Sequence, residues 1–267
     1  MITQNVLVNG ISIFCKGTIE KNAIIFLHGN SLNSFTFHKQ LETLDLPMVS
    51  VDLPGHGKSE FAKDPENTYT FPGYVKLIVD VIKQLNLENF ILVGHSLGGH
   101  IAIGVAAQLK TCKGLFIFGT PPLETINSLA RAFLPNPLFP LMLQGTLTAQ
   151  NANDLAESML FQKEYKQEIS DAIYTTDANA RAYFGAFVAK GIVPNEVESI
   201  KSLGFPVAIL HGEKDTFVNK EYIDGIGFSK LWKNKVQLIT DSGHCPQLEQ
   251  SQMMNDLLSE YYKTVIG

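Results

Sequence analysis

Apolar residues along the chain come in short blocks, most of which stop abruptly at a histidine, glycine or aspartate. They are "NAIIFLH" from Asn22, "PMVSVD" from Pro47, "FILVGH" from Phe90, "GLFIFG" from Gly114, "FPVAILHG" from Phe205 and "KVQLIT" from Lys235. Blocks of this length, rich in β-branched residues, predict strands buried on both faces. Between them the pattern changes to the helical period and predicts helices over 35–44, 71–85, 97–109, 220–231 and 247–264. Strands that alternate with helices imply a mostly parallel central sheet with helices on both faces. The N-terminus differs: "VLVNGISIF" alternates apolar and polar residues around Asn9-Gly10, the mark of an antiparallel hairpin closed by a two-residue turn.

One interval breaks the rhythm. Between Gly119 and Gly204 lie more than eighty residues without a strand pattern, but with helical stretches such as "NANDLAESMLFQ" and "EISDAIYTTDANARAYFGAFVAKG". That is too long for a loop and too poor in strands for a second α/β unit. The expected organisation is therefore an α/β core from 1–120 and 205–267 with a helical cap inserted over 121–204. There is no internal repeat and no low-complexity tract.

Composition narrows the class of partner. With 45% hydrophobic and 18% charged residues the chain is a folded globular one. A net charge of -5 without a Lys/Arg block leaves no electrostatic footprint for nucleic acid or anionic lipid, so a small molecule is the expected partner. No apolar run reaches the ~18 residues of a membrane span, and no signal-peptide pattern opens the chain. A cytoplasmic monomer or homodimer is expected. Cys15, Cys112 and Cys245 are odd in number and lack CxxC spacing, which argues for neither a disulfide framework nor a cysteine zinc site.

The chemistry is concentrated at "ILVGHSLGGHIAIGVAA", where a buried strand turns into a helix through Gly94, Ser96 and Gly98. A GxSxG motif on such a turn is a nucleophile elbow: the glycines let the backbone pack closely, and the serine hydroxyl is left exposed above the positive end of a helix. A serine needs a base and a group to orient that base. Asp215 follows the strand ending in "HGEKD", and His244 follows "VQLIT" in "DSGH", so all three candidates fall at the C-terminal edge of a parallel sheet. For the developing oxyanion, the loop "HGNS" offers the backbone amide of Asn30, to be paired with that of Leu97. Other residues receive structural roles. Asp52 shapes the "DLPGHGKS" loop, Asp241 braces the His244 loop, and Glu213 is a weaker rival to Asp215. His28, His38, His95, His100 and His211 serve packing or loop hydrogen bonds, and Cys245 has no elbow of its own.

With "HGNS", "DLPGHGKS", "GHSLGG", "HGEKD" and "SGHCPQLEQ" in order from His28 to Gln250, the sequence resembles the α/β-hydrolase superfamily with a helical cap. The resemblance implies Ser96 as nucleophile, Asp215 as acid and His244 as base. It separates the chain from haloalkane dehalogenases and epoxide hydrolases, which carry aspartate at the elbow. "HGNS", "DLPGHGKS", "SLGGHI", "GTPP" and "FVNKEYIDGIGFSKLW" are similar to the metal-independent N-acyl-homoserine lactone hydrolases. That similarity implies ester or lactone hydrolysis through an acyl-enzyme and no cofactor. No HxHxDH cluster occurs, so no metal is implied. A cap tyrosine assists binding in those enzymes; an ungapped alignment places Leu155 there, and a shifted register Tyr165 or Tyr174. The apolar cap stretches "AFLPNPLFPLML" and "YFGAFVA" imply a pocket for medium acyl groups. A general carboxylesterase or thioesterase, or a receptor-like member of the fold without turnover, are the alternatives.

Overall fold

Eight strands form one sheet: β1 (Ile2–Val8), β2 (Ile11–Gly17), β3 (Ile24–Leu27), β4 (Met48–Val51), β5 (Ile91–His95), β6 (Gly114–Phe118), β7 (Val207–Gly212) and β8 (Gln237–Ile239). Their order is β1-β2-β4-β3-β5-β6-β7-β8 in the computed structural model, which describes residues 2–267. β1 and β2 pair antiparallel, β2 meets β4 antiparallel, and every pairing from β4 to β8 is parallel. The hairpin turn falls on Asn9 and Gly10, both at positive φ (51° and 76°), and Val8 faces Ile11 across it. That is the conformation two-residue turns need to match strand twist.

Helices α1 (His38–Thr43), α2 (Pro65–Thr68), α3 (Phe71–Gln84) and α4 (Leu97–Gln108) precede β6. Five more, α5 (Leu129–Ala132), α6 (Ala149–Met159), α7 (Lys166–Thr175), α8 (Ala178–Ala189) and α9 (Glu196–Ser202), occupy the interval between β6 and β7. No strand occurs there among the described residues. α10 (Lys220–Asp224) precedes β8, and α11 (Pro246–Glu249) and α12 (Ser251–Val265) follow it.

The sheet is covered on both sides because its strands alternate between two apolar layers. Ile25, Leu27, Leu92, Leu115, Ile117 and Ile209 pack with α3 and α4, whereas Phe26, Val93, Phe116, Phe118 and Leu210 pack with Phe37, Trp232, Leu258 and Tyr261. Each such fully buried side chain stabilises the fold by roughly 1.5–3 kcal/mol relative to exposure. α4 is apolar all round, as befits a helix in contact with the sheet, α3 and α9.

Three helical expectations change in detail. The helix expected over 35–44 begins as a 3₁₀ turn, Ser34–Phe37, capped by Asn33, and becomes α-helical only from His38. The one expected over 220–231 ends at Asp224. Beyond Gly225 and Gly227 (φ 44°) the chain extends, and Leu231 bridges β7 at Val207. The helix expected over 247–264 starts at Pro246 and breaks at Gln250 (φ -130°, ψ 50°), which turns Glu249 inward. No helix among the described residues is long and apolar enough to cross a membrane.

Candidate active site

β5 delivers the chain to Ser96, whose φ of 51° and ψ of -119° are strained for a residue with a side chain. The turn is held from all sides. The Ser96 amide donates to Phe118 O, and its carbonyl accepts from the amides of Gly99 and His100 and from the Thr120 hydroxyl. A Cβ at Gly94 would stand 2.4 Å from Gly99 Cα, and one at Gly98 would stand 2.1 Å from the carbonyl oxygen of Leu27. The sequence motif is thus a steric requirement: side chains at either glycine would push the helix off the strand.

Beyond β7 and β8, two loops bring a carboxylate and an imidazole together. His244 Nδ1 donates to Asp215 Oδ2 at 2.8 Å, and both side chains are almost wholly buried. Asp215 Oδ1 accepts from the amides of Phe217 (2.8 Å) and Val218 (3.2 Å). Burial pushes the Asp215 carboxyl up, but the His244 ring and the Phe217 amide outweigh it and hold the group below the usual aspartate value. With Nδ1 committed, the ring edge left to the cavity is Nε2. His95 fixes the same loop: its Nε2 donates to His244 O at 2.8 Å, and its ring stacks on Phe118. Burial foremost, and then the nearby His244, hold the His95 ring neutral.

The "HGNS" loop lies beside the elbow. Among the described residues neither the amide of Asn30 nor that of Leu97 meets an acceptor, and both residues line the same cavity as Ser96 and His244. His28 holds the loop from below, with Nδ1 donating to Gly29 O and Nε2 accepting from the Leu53 amide. Asp52 is spoken for: Oδ1 accepts from the Ser34 amide and Oδ2 from that of Lys58, so it shapes its loop. Glu213 is exposed, pairs with Lys214 and accepts from the Asp241 amide. Asp241 braces the His244 loop through its carbonyl, which accepts from Gln162 and Gln250. Burial raises the Cys245 thiol well above its ordinary value.

The helices between β6 and β7 close over these residues and leave a cavity of about 670 Å³. Phe133, Phe139, Met142, Leu143, Phe184 and Phe187 give it an apolar roof. Buried polar groups tie the roof down. Arg181, 2% exposed, donates to the carbonyls of Gln144, Gly145 and Ile173 and to Ser31 Oγ beside Asn30. The Asn30 side chain donates to Met142 O at 2.7 Å. Glu249 Oε1 accepts from the amides of Phe161 and Gln162, and Oε2 from that of Gly243 and the Ser242 hydroxyl, which joins the end of α6 to the His244 loop.

Sequence reasoning missed Arg181 and Glu249, whose partners are distant in the chain. It also placed His100 among packing residues, whereas its ring lines the cavity. None of the tyrosine candidates does so. Leu155 is buried in the core of α6, Tyr165 stands against Phe35 and His38, and Tyr174 is exposed. Leu155 falls on the apolar stripe of its helix and packs into the core, and Tyr165 precedes the first turn of α7, so neither lines the cavity. Among the described residues no three His, Cys, Asp or Glu side chains gather as a metal site.

The model of the alpha/beta hydrolase fold family matches residues 22–251. Among curated proteins the chain is 26% identical to the AB hydrolase superfamily protein YisY of Bacillus subtilis, over 94% of this chain and 95% of that one. It is 24% identical to putative esterase/lipase 1 of Mycoplasma pneumoniae, over 95% and 96%. Among solved structures it superposes with a TM-score of 0.93 on the N-acyl homoserine lactonase AidH, as a serine-to-glycine variant complexed with N-hexanoyl homoserine lactone. The identity there is 26%, and the match covers 100% of this chain and 99% of that one.

Proposed function

The chain belongs to the alpha/beta hydrolase fold family, and from that premise we propose that it opens the ring of N-acyl-homoserine lactones, with Ser96 as nucleophile, His244 as base and Asp215 as the orienting acid. Hydrolysis of a carboxylic ester, a lactone being a cyclic one, is the activity of its class, and the esterase, lipase and lactonase relatives agree. The observation that carries the reading is the Asp215–His244 pair at 2.8 Å, at the floor of an apolar cavity that Ser96 also lines. Support for the lactone comes from the full-length likeness to AidH.

His244 Nε2 takes the Ser96 proton as Oγ attacks the ring carbonyl. The Asn30 and Leu97 amides receive the oxyanion, and collapse breaks the ring C–O bond while His244 returns its proton to the departing oxygen. Water, deprotonated by the same ring, then attacks the acyl-enzyme and restores the serine hydroxyl, which releases the open N-acyl-homoserine. The core over 1–120 and 205–267 supplies these groups, and the cap over 121–204 supplies the roof that takes a medium-length acyl chain.

The test follows ring opening of a medium-chain N-acyl-homoserine lactone by mass spectrometry, with chelator present and Ser96→Ala beside the wild type. Ring opening by wild type alone is the expected result. Cleavage of simple aryl esters without ring opening would keep the serine mechanism and move the substrate to open-chain esters, in line with the esterase and lipase relatives. Labelling of Ser96 without multiple turnover would favour a receptor-like member of the family.

A further inference from the structure

The cavity holds a second histidine–carboxylate pair. The His100 amide donates to the carbonyl of Ser96, the N-cap of α4, at 3.2 Å, so the first turn of the helix sets His100 one turn beyond Ser96, and both line the cavity. His100 Nδ1 lies 2.9 Å from each carboxylate oxygen of Glu196, the first residue of α9. Glu196 is 1% exposed, and its Oε2 also accepts from the Leu123 amide at 2.8 Å. The carboxylate therefore holds the proton on Nδ1 and leaves Nε2 as the ring atom available to the cavity.

Nothing else in the wall competes for that role. Asn136 gives its amide to Ser158 and Thr216 and accepts from the Leu138 amide. The Asn30 side chain donates to Met142 O and accepts from Ser31. Apart from Ser96 and His244, Nε2 of His100 is the one polar side-chain atom of this wall without a protein partner among the described residues. A buried pair of this kind is seldom kept for stability, since apolar replacements usually serve as well or better.

We propose that His100, oriented by Glu196, recognises an amide adjoining the scissile ester, its Nε2 accepting the amide N–H. The spacing fits. An α-acylamino ester carries its nitrogen two bonds from the reacting carbon. Those two bonds plus a hydrogen bond span about 5–6 Å, close to the ~6 Å rise from residue 96 to residue 100. The inference rests on the hydrolase reading and adds to it the residue that selects esters and lactones bearing an α-acylamino group.

The test compares two p-nitrophenyl esters of equal chain length, that of N-octanoylglycine and that of undecanoic acid, on wild type, His100→Leu, His100→Gln and Glu196→Gln. His100→Leu is expected to lower kcat/KM on the amide ester about tenfold to a hundredfold more than on the undecanoate, chiefly through KM, because a desolvated amide loses its partner. His100→Gln restores an acceptor and should recover part of that selectivity. Glu196→Gln should shift it in the same direction as His100→Leu, but less. Equal losses on both esters would assign the pair a structural role and overturn the proposal. If wild type cleaves both esters but opens no N-acyl-homoserine lactone, the lactone reading fails while the His100 reading is decided by the ester ratio. If it cleaves neither, calorimetric binding of N-octanoyl-homoserine lactone to Ser96→Ala, with and without His100→Leu, decides instead. At least tenfold weaker binding supports the amide contact, and an unchanged Kd ends it.

Discussion

The floor of the cavity is fixed by backbone packed against backbone, whereas its roof hangs on hydrogen bonds from a few buried polar side chains. At the floor, Gly94, Gly98 and Gly119 admit no Cβ: one at Gly119 would stand 2.9 Å from the His244 ring. Ser96 and the His244 loop are held by main-chain bonds to β6 and α6. At the roof the fixed points are Arg181, Asn30 and Glu249, each reaching across the fold to main-chain groups or hydroxyls. Steric exclusion acts at every step along the motif and leaves a pattern of glycines. A side-chain tether can stand wherever its partner happens to be. The geometry proposed to be catalytic is therefore built rigid, and the surface above it is attached by contacts that can be changed one at a time.

Removing the proposed nucleophile is expected to give the largest effect. Ser96→Ala should lower kcat by at least about 10⁴-fold with the fold intact, checked by steady-state ester hydrolysis beside circular dichroism. Next comes the frame around it. Gly98→Ala puts a methyl group 2.1 Å from Leu27 O, and neither strand nor helix has room to yield. A stability loss of about 3 kcal/mol or more is expected in chemical denaturation; a neutral result would show the floor to be softer than its geometry.

The roof should respond differently. Arg181→Met fills similar volume but leaves the carbonyls of Gln144, Gly145 and Ile173 and the Ser31 hydroxyl without their donor. Stability should fall by about 2–3 kcal/mol, and turnover by about tenfold as the Asn30 loop loosens. Loss of stability with turnover intact would detach the roof from the Asn30 loop.

Acid probes the floor through His28 and His56. Burial holds them neutral, with values pushed from 6.5 down to about 4 and about 3, and His28 uses both ring nitrogens in a neutral arrangement. Their folded values lie below the unfolded ones, so between the two the unfolded chain binds more protons and stability rises with pH. Acidification from pH 6.5 towards 4 should therefore remove it. His28 alone accounts for about 2 kcal/mol between pH 7 and pH 5, read as a falling denaturation midpoint. A flat midpoint over that window would contradict the assignment of neutral buried rings.

The smallest effect is expected at the roof's lining. Phe184→Ala widens the cavity, so the preferred acyl chain should lengthen, with a change of only a few-fold at any one length. Equal turnover across chain lengths in the wild type would dispose of the acyl-pocket idea altogether.

The sheet, its antiparallel start, most of the helices around it and the elbow were legible in the order of residues alone. Strand burial shows as unbroken apolar blocks, and a turn that excludes side chains shows as glycines at fixed spacing around Ser96. Asp215 and His244 were legible because each directly follows a strand, so the parallel sheet brings them to one edge. What stands over that edge depends on contacts between segments far apart in the chain. Arg181, Glu249 and Glu196 are ordinary charged residues in helical or loop sequence, and their partners lie at Ser31, Phe161 and His100, up to 150 residues away. The turn of His100 into the cavity, the absence of a tyrosine from its wall and the break at Gln250 follow from those distant contacts. Local patterns carry the energies that act between neighbours in the chain, and the roof is held by energies that do not.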